Sequence, residues 1–322
     1  MKNVIISTYL IVSLLLCFYC GTAAAQEVYT LAVPMVDGLD ATNMTAYLEK
    51  MSVILTKRLG VQIKTRPLVY RYGDSVLDMV MKDFKEGNSD IGYVYGREYA
   101  AYRNAKDNAV VPLFTLSMFK SRIMKQCFYT RAGEFKDAGG LRGGKWAGST
   151  YLPARYMLYS AGVDEPLEKF FSSISYESDA PLKNLVDRMK RKEIDVFSTY
   201  EVIMNISGEL KRKDSFLEPL YCRDYDHTWV FVARREVPVR LLQQIREIVL
   251  NAHKDPDFAT FKFAFQLIEG KFVEIQEESL DQIGDICRLV EKKGWEAESR
   301  AFYKKYRAEG EKPRKKAVTP PK

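Results

Sequence analysis

The chain has 322 residues, 47% of them hydrophobic and 28% charged. This composition excludes wholesale disorder and a collagen-like fibre, and the length suits about two domains of roughly 150 residues whose cores need no staples. The formal charge of +7 sits at the ends: residues 1–26 carry only Lys2, residues 301–322 carry eight Lys or Arg against two Glu, and the body between is neutral. A nucleic-acid-binding domain needs its Lys and Arg on a folded face, so that class is set aside.

The chain opens on M-K-N, an apolar run ending at Cys20, and GTAAA. A charged start, an apolar stretch and small residues at Ala23 and Ala25 make residues 1–25 a secretory signal peptide. Cleavage is expected before Gln26, with an uncleaved anchor as the rival. Cys17 and Cys20 follow Leu16 and Tyr19 rather than small residues, which argues against a lipoprotein. No later segment is long and apolar enough to span a bilayer, so the expected location is the periplasm.

From residue 28, VYTLAVPM reads as a buried strand, followed by a loop over 36–42 that carries Asp37 and Asp40. MTAYLEKMSVILTKRLG is an amphipathic helix stopped by Gly60, VQIKTRPLVY a strand, and VLDMVMKDFKEG a helix closed by Gly87. DIGYVY is a third strand, and REYAAYRN begins a third helix. A long extended stretch, 110–131, leads to a second series: a Gly-rich turn and short strand to Gly148, the helix YLPARYMLYSAG, and the strand KFFSSISY. A helix follows with Asp179 as its N-cap, then the strand IDVFSTY, a long strand over 225–238, and helices over 239–255 and 278–294. Alternating strands and helices imply an α/β fold with mainly parallel sheets flanked by helices. Two such series joined by long extended segments predict two lobes with a hinge near 115–125 and 220–230. Lobe 1 takes 26–118, lobe 2 takes 119–225, residues 226–300 return to complete the lobes, and 301–322 form a flexible basic tail, a weak contact with anionic lipid being the sharper alternative.

Cleavage leaves Cys127, Cys222 and Cys287, an odd number that permits at most one intrachain bridge. Cys127 and Cys222 lie on the two hinge segments and are expected to pair, leaving Cys287 free. His227 and His253 have no partners at metal-ligand spacing, so neither a metal nor another cofactor is expected. No nucleophile–base pair is visible, which disfavours an enzyme.

Four stretches in order carry a family resemblance: EGNSDIGYVYGREYAAY, FKDAGGLRGGKWAGSTYLPARYMLYSAG, SYESDAPLKNLVDRMKRKEIDVFSTY and HTWVFVARREVPVRLLQQIREIVLNAHKDPDF. The chain resembles the phosphate/phosphite/phosphonate-type periplasmic substrate-binding proteins of ABC transporters over residues 28–275. The resemblance implies a two-lobed type II periplasmic-binding-protein fold that closes on a small oxyanion and hands it to a permease. It also suits a monomer.

A helix N-terminus offers unpaired N–H groups and partial positive charge to an anion. Ser149 and Thr150 stand at such a start and match the family's hydroxyl-rich position, while Tyr151 departs from it; a plain N-cap uses the same groups. Ser178 replaces a common histidine. Tyr200 and Glu201 occupy the neighbourhood of the family's acidic reader. Tyr95 ends the third lobe-1 strand where the family has Gly-Pro. Arg97 offers a bidentate anion contact, and Tyr93 is placed on the same strand face as Tyr95. Tyr72, with Asp74, is a weaker candidate. A periplasmic sensor with a remodelled cleft, serving a signalling partner, is the alternative to transport.

Overall fold

The computed structural model describes residues 27–36, 41–70, 74–104, 109–177, 182–212 and 215–310. The leader, the segment 37–40, Tyr72, Ser178 and Asp179 lie outside the described residues. In chain order the elements are β1 (Val28–Val36), α1 (Ala41–Leu59), β2 (Gln62–Tyr70), α2 (Val76–Lys85), β3 (Ile91–Val94), α3 (Gly96–Asn104), β4 (Val110–Ser117) and β5 (Ile123–Arg131). Then come β6 (Lys145–Gly148), α4 (Tyr151–Ser160), α5 (Leu167–Phe170), β7 (Ser173–Tyr176), α6 (Leu182–Lys190), β8 (Val196–Tyr200) and α7 (Glu201–Ser207). The chain finishes with β9 (Leu217–His227), β10 (Val230–Arg234), α8 (Val239–Leu250), α9 (Lys262–Leu267), β11 (Lys271–Val273), α10 (Glu277–Lys292) and α11 (Trp295–Gly310). Among the described residues no helix is long and apolar enough to cross a membrane.

Two sheets define two lobes. Lobe 1 has the order β11-β4-β10-β3-β1-β2 and lobe 2 the order β7-β6-β8-β5-β9. The β-α-β series make the expected parallel pairs, β2-β1-β3 and β7-β6-β8. The sheets are nevertheless mixed, because the strands that leave and return between lobes add as antiparallel neighbours. Alternation along each strand then fills both faces. Leu31 and Val33 enter one core and Ala32 the other; in lobe 2, Phe128 enters one and Cys127 and Tyr129 the other.

Several expected elements divide where the chain changes lobe. The extended stretch 110–131 is two strands separated by a tight reversal, with Phe119 and Lys120 both left-handed (φ 48° and 64°) and Met118 bridging Ser121. The strand expected over 225–238 is also two, β9 and β10, broken at Thr228 and Trp229. Thr228 N–H donates to the Arg122 carbonyl at 2.8 Å, and the Thr228 and Thr115 hydroxyls meet at 2.8 Å, so the two crossings are pinned side by side. Residues 301–310 correct the expected flexible tail. They continue α11 to Gly310 because Phe302, Tyr303 and Tyr306 project at helical spacing into the lobe 2 core, and Phe302 is 1% exposed.

Cys127 and Cys222 are directly opposed on β5 and β9 and form a disulfide across a Cα separation of 4.1 Å, while Cys287 is a free thiol. The bridge spans 95 residues, a loop long enough to remove substantial entropy from the unfolded chain. Reduction is therefore expected to lower unfolding stability by about 2–4 kcal/mol, measured by urea denaturation with and without a phosphine reductant.

Candidate functional site

The C-terminal ends of the parallel strands of both lobes meet at the crossings, where α/β folds place their ligands. α3 is set there by close backbone approach. A Cβ on Gly96 would lie 2.4 Å from His227 Cβ and 2.7 Å from the Thr228 carbonyl, so only glycine lets β3 turn into α3 against the crossing chain. Glu98 on the same helix accepts the N–H groups of Val76 and Leu77, both at 3.0 Å, and so caps α2 and fixes the orientation of α3.

Asp226, 6% exposed, lies at the centre. One carboxylate oxygen accepts the Arg97 N–H at 3.0 Å and the His227 N–H at 2.8 Å; the other accepts a long hydrogen bond from the Tyr200 hydroxyl at 3.5 Å. Burial pushes this carboxyl up to about 6, against the pull of the Arg97 guanidinium and the N–H donors. The Arg97 guanidinium lies over the Tyr225 ring at 5.9 Å and makes no salt bridge or side-chain hydrogen bond among the described residues. Its carbonyl accepts the Cys287 thiol at 3.5 Å. Tyr225 is 1% exposed, and its hydroxyl has no hydrogen-bond partner among the described residues. Burial pushes both Tyr225 and Tyr200 above the ordinary phenol range, keeping them neutral donors.

From lobe 2 comes the start of α4. Thr150 is its N-cap, but the Thr150 side chain makes no capping bond; its hydroxyl instead accepts from Gln126 Nε2 at 3.4 Å. Gln126 is fully buried and its Oε1 has no hydrogen-bond partner among the described residues. The Tyr151 N–H donates at 3.2 Å to the hydroxyl of Tyr303 on α11, and that hydroxyl donates to the Ser149 carbonyl at 3.4 Å. Tyr303 is in electrostatic reach of both Tyr200 and Tyr225, which links the α4 start to Asp226 and Arg97.

Arg97, Tyr200, Ser149 and Thr150 thus converge, together with the backbone of Tyr151. The Tyr151 side chain does not: its ring is buried in lobe 2 and its hydroxyl donates to Glu298 at 2.9 Å. Tyr93 and Tyr95 diverge, because β3 ends at Val94 and the two-residue alternation stops before Tyr95. Tyr93 packs between Trp229 and Phe231 and donates to the Pro34 carbonyl, while Tyr95 pairs with the Tyr70 hydroxyl in the other core. Glu201 sits beside Tyr129, on the sheet face opposite α4. Tyr72 and Ser178 fall outside the described residues. Sequence reasoning did not single out Gln126, Tyr225, Asp226 or Tyr303. The signal for the middle pair was present in Y-D-H-T, polar residues interrupting a strand whose flanks are apolar.

Two outcomes follow from this packing. Gly96→Ala is expected to lower stability by about 1–3 kcal/mol, measured by denaturant titration, because the added methyl meets backbone. The folded Asp226 binds its proton more tightly than an unfolded aspartate. Its contribution to stability therefore falls as pH rises from about 4 through 6, where the folded state is forced to carry a buried charge. Wild type should lose stability relative to Asp226→Asn across that window, in denaturation curves at pH 4.5, 5.5 and 6.5; parallel profiles would refute it.

No protein-family model matches the sequence, and no curated protein matches it. Solved structures do match. XAC2383 from Xanthomonas citri, bound to chloride, gives a TM-score of 0.60 at 14% identity, covering 82% of this chain and 99% of its own. PhnD1 from Prochlorococcus marinus, in complex with methylphosphonate, gives 0.58 at 16% identity over 83% and 99%. A binding-protein component of an ABC phosphonate transporter from Pseudomonas aeruginosa gives 0.57 at 13% identity over 88% and 94%. At these identities the likeness is one of fold, and it extends over most of the described chain. The chain has the two-lobed fold of the type II periplasmic binding proteins.

Proposed function

We propose that this protein is an extracytoplasmic solute-binding protein that captures a small phosphonate-, phosphite- or phosphate-like oxyanion between its lobes and delivers it to an ABC permease. The observation that carries this reading is the Arg97 guanidinium, which is set beside phenols at the interlobe crossing with no acidic side chain bonded to it among the described residues. A guanidinium presents five donors in a planar fork that matches a tetrahedral or planar oxyanion, and leaving them unmet in a half-buried site is costly. The methylphosphonate and phosphonate-transport names of two structural neighbours point to the same ligand class. The leader read in the sequence supports a periplasmic location, and a hinge-closing carrier suits a monomer.

Arg97 reaches the ligand from lobe 1, and the hydroxyls of Thr150, Ser149 and Tyr200 reach it from lobe 2. An anion held by both lobes favours the closed arrangement over the open one by the contacts it makes only there. No covalent step and no cofactor are required. The second reading, a sensor with a remodelled cleft that passes the liganded state to a signalling partner, draws on Tyr303, whose hydroxyl accepts the Tyr151 N–H at the α4 start.

The test is a thermal-shift and calorimetric panel of phosphate, phosphite, methylphosphonate, 2-aminoethylphosphonate and sulfate on residues 26–322. A ligand at one hundred times its Kd should stabilise the fold by about 2.7 kcal/mol. Arg97→Gln should weaken binding by about tenfold to a hundredfold. Absence of a shift with every oxyanion would overturn the transport reading.

A further inference from the structure

α11 touches both lobes. At its start Trp295, 1% exposed, packs with Leu280 and Ile283 of α10 in the core that continues into lobe 1. Two turns on, Phe302 is buried in lobe 2 against Trp146 and Tyr151. Polar contacts hold the helix along α4: Glu298 accepts from Tyr151 at 2.9 Å and from Arg155 at 3.3 Å, Arg155 lies over Trp295 at 4.5 Å, and Asp164 joins Arg155 and Lys293, each at 2.6 Å. The result is a strap that brings Tyr303 to the start of α4. There its hydroxyl accepts the first helical N–H, that of Tyr151, and returns its proton to the Ser149 carbonyl.

That N–H is the group an oxyanion would use. Two groups near it remain without the partner an anion would supply, and the Thr150 hydroxyl, held only by Gln126 Nε2 at 3.4 Å, is turned from the helix start. The Arg97 guanidinium makes no ion pair among the described residues. The Tyr225 hydroxyl is buried without an acceptor while within electrostatic reach of both Arg97 and Tyr303. The Thr150 side chain does not cap its own helix. The site is thus equipped for an anion while one of its donors is held by the chain.

We propose that α11 is an intramolecular competitor: the Tyr303 hydroxyl occupies the anion subsite at the start of α4, and an oxyanion binds by displacing it. This rests on the oxyanion reading of the cleft. Displacement is favourable because an oxyanion accepts a charge-assisted hydrogen bond about twice as strong as the neutral one it replaces. The plug therefore tunes affinity rather than abolishing it, and it discriminates against neutral solutes, which gain nothing by replacing one neutral acceptor with another.

The experiment compares wild type with Tyr303→Phe, which keeps the ring packed and removes only the hydroxyl. Each is titrated calorimetrically with methylphosphonate, phosphate and sulfate, and hydrogen exchange of a peptide covering residues 149–153 is followed without ligand. The expected result is about threefold to tenfold tighter binding by Tyr303→Phe, together with faster exchange at the Tyr151 amide. Binding by Tyr303→Phe alone would support the plug in its strongest form. Wild-type binding that is unchanged or weakened in Tyr303→Phe would overturn the competition while leaving the oxyanion cleft intact. Absence of binding in both proteins would overturn the oxyanion reading and the competition with it.

Discussion

The Asp226 carboxylate is the constraint on which the rest of the site depends. It accepts the Arg97 N–H from the start of α3 and the N–H of its own neighbour His227 at the end of β9, and it receives the Tyr200 hydroxyl from the end of β8. A buried carboxylate is tolerable only when donors surround it. The same donors therefore bring together three elements that sequence alone leaves far apart. Gly96 completes the arrangement by letting α3 approach the crossing within contact of His227.

Asp226 also explains how the cleft can hold a cation without neutralising it. Its oxygens are largely used by backbone N–H groups and a phenol, so it balances the field of Arg97 without forming a fork-to-fork ion pair. Elsewhere arginines on this protein are paired directly, as Arg155 with Asp164 and Glu298 or Arg234 with Asp90. Arg97, like Arg122 and Arg223, has no carboxylate ion pair among the described residues, and it lies over Tyr225, a phenol that burial keeps protonated.

The α11 strap adds a second layer. One helix buries Trp295 at the junction and Phe302 in lobe 2, so hinge motion and the position of Tyr303 are mechanically linked. A ligand that separates Tyr303 from Tyr151 acts on the same helix that joins the lobes. The disulfide ties β5 to β9, the two lobe 2 strands adjoining the crossings.

The main β-α-β strands and helices, the two-lobed plan and the Cys127–Cys222 pair were legible in the sequence, because hydrophobic period and glycine stops are local properties; the short elements α5, α7, α9 and β11 and the helix α11 were not. Ser149, Thr150, Arg97 and Tyr200 were legible as candidates for the same reason, each standing at a strand end or helix start. The tertiary structure decided what local pattern cannot. Tyr93 and Tyr95 separate because β3 stops one residue too early for alternation to hold. Tyr151 turns its ring inward because Glu298, 147 residues away, offers it an acceptor. Phe302 and Tyr303 looked like part of a basic tail because Lys and Arg surround them, and only the lobe 2 core shows that their face is buried. Asp226 became central through a donor 129 residues away in sequence, the Arg97 N–H, a contact that exists only once β9 crosses against α3. Local chemistry specified the elements and their termini; the convergence of a cation, a carboxylate and three phenols was set by chain crossing and packing, which no short window of sequence contains.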